Sequence, residues 1–249
     1  MRFLFFVIVT TAVVSSGLQF SSLAAKETSP EEARVLLFED QFDRNESQEV
    51  KEEIGNGWAS NSERRAHGNK QVDLKDGAMH ISFHESADHA VSVTHPAEFR
   101  DGVVSLRFML EGKADSLGLN FADLKFKGVH AGHLCVVKIN TRQVQISDLK
   151  TGRMANKYYE LNKAKKLTPE MQVELKSKSN RFPNRLDTNR WYALQVRIQG
   201  DTMSVTIDGK LVGEFSSKGI AHPTKRLLRL AVPKNAVVDD VQVYSLSNS

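Results

Sequence analysis

Polar side chains set two apart along apolar stretches are the residues here most able to hold a ligand. In Gly102 to Leu110, Ser105 and Arg107 alternate with Val104, Leu106, Phe108 and Leu110. In Ser116 to Asp123, Asn120 opposes Leu117, Leu119 and Phe121. Lys138 opposes Cys135, Val137 and Ile139, while Gln143 and Gln145 oppose Val144 and Ile146. Side chains of a strand alternate between its two faces. A shared face bearing Arg107, Asn120, Lys138 and Gln145 would hydrogen-bond sugar hydroxyls, or pair its cations with an acidic sugar. The competing reading is a solvated outer face. Asp123, with Lys125 and Lys127, makes a polar cluster at the sheet rim or in a turn, and completes the set of binding candidates.

Other clusters carry less chemistry. Asp239 and Asp240 are adjacent in a strand-like run, so they should point to opposite faces and not share one bond as acid and base. His80 and His84 lie four positions apart on one strand face, about 13 Å, too far to share an ion. Glu85, Asp88, His89, His130 and His133 then read as surface polar residues, and no metal or other cofactor is expected. Cys135 is the only cysteine, so the chain has no internal disulfide, and its setting His133 to Ile139 reads as a buried strand rather than a nucleophile site. Between Lys157 and Arg190 there are nine basic and four acidic side chains. That stretch is either a clamp for sulfated or uronic polysaccharide or a solvated insertion.

The elements that would position these residues are strands. Tyr192, Leu194, Val196 and Ile198 alternate with polar neighbours up to Gly200-Asp201. Met203, Val205 and Ile207 follow up to Asp208-Gly209, and Leu211, Gly213 and Phe215 are assigned to one face after it. Alternation broken by Asp-Gly is a strong hairpin signal. Strand-like runs recur from Val35 to Leu149 with turns between them, and the last covers Val237 to Leu246. Glu46 to Ile54 suits a short helix, and Thr168-Pro169-Glu170 starts another that extends to about Lys178. The chain has 249 residues, 40% hydrophobic and 26% charged, which is enough for one sizeable core. Its net charge of +4 is too mild to argue for nucleic acid.

Several of these segments resemble the bacterial 3-keto-disaccharide hydrolase domains, which are similar to family 16 glycoside hydrolases. They are Leu37-Phe-Glu-Asp-Gln-Phe-Asp-Arg44 with Gly55-Asn-Gly-Trp58, the Trp191 to Phe215 hairpins, and Val238-Asp-Asp-Val-Gln-Val-Tyr244. The resemblance covers about Leu36 to Leu246. It implies a concanavalin-like fold and action on glycosides. Where the family carries a strand ending in arginine, this chain reads Asp115-Ser-Leu-Gly-Leu-Asn-Phe-Ala122. Where the family carries a glutamate and a terminal acid, it reads Gly132-His-Leu-Cys-Val-Val-Lys-Ile139. The E-x-D-x-x-E run of the glucanases does not occur.

The expected fold is all-β: a concanavalin A-like or laminin-G-like jelly-roll sandwich of two antiparallel sheets with one short helical insertion. Trp191 and the Tyr192 alternation should lie inside it. Phe3 to Val14 is apolar behind a basic start, so residues 1–25 read as a secretory signal peptide. Residues 26–34 read as a flexible linker and 35–247 as the single domain, with the insertion at about 154–190. The expected protein is periplasmic or extracellular. Its expected partner is an oligo- or polysaccharide, neutral or acidic, with no nucleic acid and no membrane after signal cleavage. Enzyme, binding module and adhesion module all remain open.

Overall fold

The computed structural model describes residues 33–247. The expected signal segment and most of the linker lie outside them. Two antiparallel sheets stack on each other. The back sheet contains β1 (Arg34–Asp40), β3 (Val72–Lys75), β4 (Ala78–Ser82), β6 (Gly102–Met109), β11 (Tyr192–Gln199), β12 (Thr202–Ile207), β13 (Lys210–Ser216) and β15 (Asn235–Leu246). The front sheet has β2 (Ala59–Ser60), β5 (Val91–Phe99), β14 (Lys225–Val232), β7 (Ser116–Ala122), β8 (His133–Asn140), β9 (Gln143–Asp148) and β10 (Ser179–Pro183), in that spatial order. The jelly-roll reading of the sequence is therefore correct.

The core is the apolar half of each alternation. Leu117, Leu119 and Phe121, Cys135, Val137 and Ile139, and Val144 and Ile146 face inward from the front sheet. They meet Val104, Leu106, Phe108, Leu194 and Val196 of the back sheet, all buried. Burial pushes the Cys135 thiol up to about 12, which keeps it protonated and inert. The β12–β13 turn has φ +48° at Asp208 and +75° at Gly209, the positive pair that a type I′ hairpin requires.

Four local expectations change. Residues 46–54 form no helix: the Glu53 carboxylate accepts from the backbone and side chain of Ser47, and the Glu46 carboxylate accepts from Glu53 N. Such side-chain-to-backbone bonds compete with helical ones. Leu211 is exposed, because a register shift opposite Val205 and Thr206 turns it away from Gly213 and Phe215. Trp191 lies outside the sandwich, its ring under the Arg107 guanidinium at 4.8 Å. After the short helix α1 (Ser62–Arg65) between β2 and β3, the only other α-helices among the described residues are in the insertion, α2 (Asn156–Lys163) and α3 (Pro169–Ser177), which the edge strand β10 follows. The Thr168 hydroxyl caps α3 by accepting from Met171 N at 3.3 Å.

The opening motif is a latch. Asp40 accepts from both Arg44 η nitrogens at 2.7 and 2.9 Å, from Trp58 Nε1 at 3.0 Å and from Phe42 N at 2.9 Å. Burial works to raise its carboxyl, but Arg44 and the Phe42 N–H outweigh it and hold the group below its ordinary value. The residues that carry the family resemblance at this end thus hold the chain together at the sheet edge.

Candidate functional site

Cross-strand pairing writes out the solvent face of the front sheet. One row runs Thr94, Arg229, Asn120, Val136, Ser147 and Ser179. The next runs Ser92, Ala231, Gly118, Lys138, Gln145 and Arg181. Directly opposed residues share a face. Ser92, Ala231 and Gly118 keep half of the second row low, and Lys138, Gln145 and Arg181 rise beside it. This makes an open floor next to a wall of donors. No residue of either row is a carboxylate.

Arg229 organises the centre. Its Nη1 donates to His133 Nδ1 at 2.9 Å and to Asn120 Oδ1 at 3.4 Å. Burial, and after it the charge of Arg229, push the His133 imidazole down to about 3. Nδ1 also lies 3.0 Å from Asn120 Oδ1, and Arg229 Nη1 lies 3.2 Å from Nε2, so the tautomer sets which of these contacts are hydrogen bonds. In either tautomer, burial beside a guanidinium favours the neutral ring within this Arg–His–Asn group. Burial lowers Arg229, Arg153 and Lys138 as well, and Arg153 adds to the effect on Lys138. Among the described residues, no carboxylate lies within 4.0 Å of the cationic groups of Lys138, Arg153 or Arg229.

Beside the two rows lies a cavity of about 340 Å³, walled by β9, the turn after it and α3. Lys138, Gln145 and Ser147 reach it from the sheet, Arg153 from the turn, and Gln172, Lys176 and Lys178 from α3 and its end. The turn is tied down by Asp148, which is 1% exposed. Its carboxylate accepts from Thr151 N at 2.9 Å, from the Thr151 hydroxyl, from Ser217 Oγ at 2.6 Å and from Gly219 N at 3.0 Å. A Cβ on Gly219 would sit 2.0 Å from that carboxylate, so only glycine fits there.

The structure brings Asn120, Lys138 and Gln145 onto one face but separates the other two candidates from them. Arg107 is on the solvent face of the back sheet, so the expectation of one face shared with it is corrected. Alternation assigns a face within a strand and cannot assign the sheet. Asp123 is buried at the end of β7, where its carboxylate accepts from Lys125 N at 2.9 Å and faces His222 and Arg226 at 3.3 and 3.2 Å. These partners outweigh the opposing effect of burial and lower its carboxyl.

The reading of Asp239 and Asp240 is also corrected. A bulge interrupts the β15–β6 register between Asp239 and Gln242, and Asp240 has φ +51°. Both carboxylates therefore reach Arg107 Nη1, each at 3.3 Å. The spacing carried the signal: Val238 and Val241 are both buried yet three apart, which period two allows only with an extra residue. Burial raises Asp239, and the Asp240 charge adds to this. With a guanidinium between them, the pair forms an ion network joining β6 to β15.

Sequence reasoning missed Arg229 and Arg153 as site residues, did not separate Lys176 and Lys178 from the rest of the basic stretch, and took His133 for a surface group. Within the basic stretch, Lys163, Lys165 and Lys166 are exposed and lie outside the cavity. Among the described residues, no group of three or more His, Cys, Asp or Glu is placed to hold a metal ion.

The laminarinase from Rhodothermus marinus superposes with a TM-score of 0.57 at 12% identity, over 88% of this chain and 100% of that one. The laminarinase catalytic domain from Thermotoga maritima gives 0.53 at 15%, over 87% and 100%. The endo-β-1,3-glucanase from Pyrococcus furiosus gives 0.52 at 15%, over 88% and 97%. This likeness shows the fold. At such low identity it shows nothing more. No protein-family model matches the sequence, and no curated protein matches it.

Proposed function

We propose that the protein is an exported carbohydrate-binding module that holds saccharides on the solvent face of its front sheet without cleaving them. The observation that carries this reading is the pair of cross-strand rows, which offer amides, hydroxyls and cations but no acid. Glycoside hydrolysis ordinarily needs two carboxyl groups about 5–9.5 Å apart, one on each side of the scissile bond. Binding needs only donors and acceptors that outlast competition with water. The solved structures of similar fold are named as laminarinases and glucanases, which supports a saccharide as the ligand. The scaffold resemblance to the 3-keto-disaccharide hydrolase domains points the same way. Hydrolysis of 3-keto-disaccharides is the enzymatic alternative that the experiment must exclude.

Purified protein lacking the signal segment should retain oligosaccharides on a glycan array and release no reducing ends from them or from 3-keto-glycosides. Lys138→Ala should weaken that binding about tenfold, the loss expected for one charge-assisted hydrogen bond. Turnover of any glycoside, or binding indifferent to Lys138→Ala, would overturn the proposal.

A further inference from the structure

We infer that the cavity between β9 and α3 is an anion subsite, which takes the carboxylate of a uronate or the sulfate ester of a sugar whose ring lies on the front sheet. The inference rests on the saccharide-binding reading above and names the class of saccharide. At about 340 Å³ the cavity is at the small end of ligand sites, suited to one or two sugar units. Four cationic side chains from three separate elements line it: Lys138 of β8, Arg153 of the turn, and Lys176 and Lys178 of α3 and its end. Among the described residues none has a carboxylate within 4.0 Å.

Two acids beside the cavity, Asp148 on its wall and Glu174 on α3, are already engaged. The Asp148 carboxylate also borders the cavity, but it accepts from Thr151, Ser217 and Gly219. Glu174 of α3 accepts from the Tyr158 hydroxyl at 2.5 Å. Burial lowers Lys138, and the like charge of Arg153 adds to it. An anionic substituent offsets that charge and forms charge-assisted bonds at once. Gln145, Gln172 and Ser147 supply neutral donors for its remaining oxygens. No residue of α3 is fully buried, and the Tyr158–Glu174 hydrogen bond ties this helix to α2.

Lys138, Gln145, Ser147 and Ser179 belong both to the two rows and to the cavity wall. A glycan lying along the rows therefore has its substituent delivered to the cations, and the two regions act as one site. Lys163, Lys165 and Lys166 stand outside it and provide charge-matched controls.

The test is calorimetric titration with an oligouronate, a sulfated oligosaccharide and a neutral laminari-oligosaccharide. The proteins are the parent, Lys176→Glu with Lys178→Glu, Lys163→Glu with Lys165→Glu, and Arg153→Gln. Reversal of the two cavity lysines should weaken the anionic ligands about 30-fold, and the control pair by less than about threefold. Arg153→Gln, on a different element, should show the same selectivity. The tighter of the two anionic ligands identifies the substituent. Equal weakening by both double variants would overturn the subsite, as would neutral and anionic ligands of equal affinity, and both results leave the saccharide face standing. Failure of all three glycans to bind would overturn the face and the subsite together.

Discussion

Lowering the pH from 6.5 to 4.5 should remove about 2 kcal/mol of folding stability through His133 alone. The native imidazole is held down to about 3 by burial and by Arg229, so the folded protein leaves it neutral throughout that range. The unfolded chain protonates it near the ordinary value of about 6.5. Between those two values the unfolded state binds the extra proton. Stability is therefore full above the window, declines as pH falls through it, and levels off below about 3. His80 and His222 are also lowered, mainly by burial, and add declines of the same sign. Urea unfolding of the parent and of His133→Gln across this range isolates the His133 part. The variant should show a slope shallower by about 1 kcal/mol per pH unit. Parallel slopes would mean that His133 titrates normally and that the Arg–His–Asn group is not built as described.

Asp148→Ala should cost about 3–5 kcal/mol, because several buried donors lose their one acceptor together. One buried carboxylate satisfies two backbone N–H groups and two hydroxyls, and it joins the β9 turn to the loop at Ser217 and Gly219. Removing it leaves four donors without their acceptor. For a domain of this size the melting temperature should fall by roughly 10 °C. Arg107→Ala breaks an ion network that is largely exposed, and should cost under about 1 kcal/mol. Melting curves of the two variants at neutral pH check the contrast. An Asp148→Ala protein as stable as Arg107→Ala would show that the turn is held by something other than this carboxylate. The same turn carries Arg153, so its anchoring also shapes the anion subsite.

The strands were legible because most of them alternate strictly and end in recognisable turns, as at Ile207-Asp208-Gly209. Three kinds of feature were not. Bulges broke the period at Val238 to Gln242 and at Leu211, where local alternation mispredicts the face of every residue beyond the extra one. Strand β14 escaped because Lys225-Arg-Leu-Leu-Arg-Leu-Ala-Val232 does not alternate across its register shift next to Leu227, and with it went Arg229, the centre of the site. The third is sheet membership. Asn120, Lys138 and Gln145 sit in sequential neighbouring strands, so their shared face could be read, whereas Arg107 pairs across to Ala193 and Asp239 in the other sheet. The contribution of Lys176 and Lys178 was hidden among nine basic residues. Composition could not separate the two that face the cavity from those that face water.

The most direct measurement is the structure of the protein bound to an acidic tetrasaccharide. The account predicts sugar rings over Gly118 and Ala231, hydrogen bonds from Lys138, Gln145 and Arg229, and a charged substituent among Arg153, Lys176 and Lys178. An uncleaved chain should be seen in that place. A ligand bound instead over Arg107 and Trp191 on the back sheet, or a cleaved product held between two carboxylates, would contradict it.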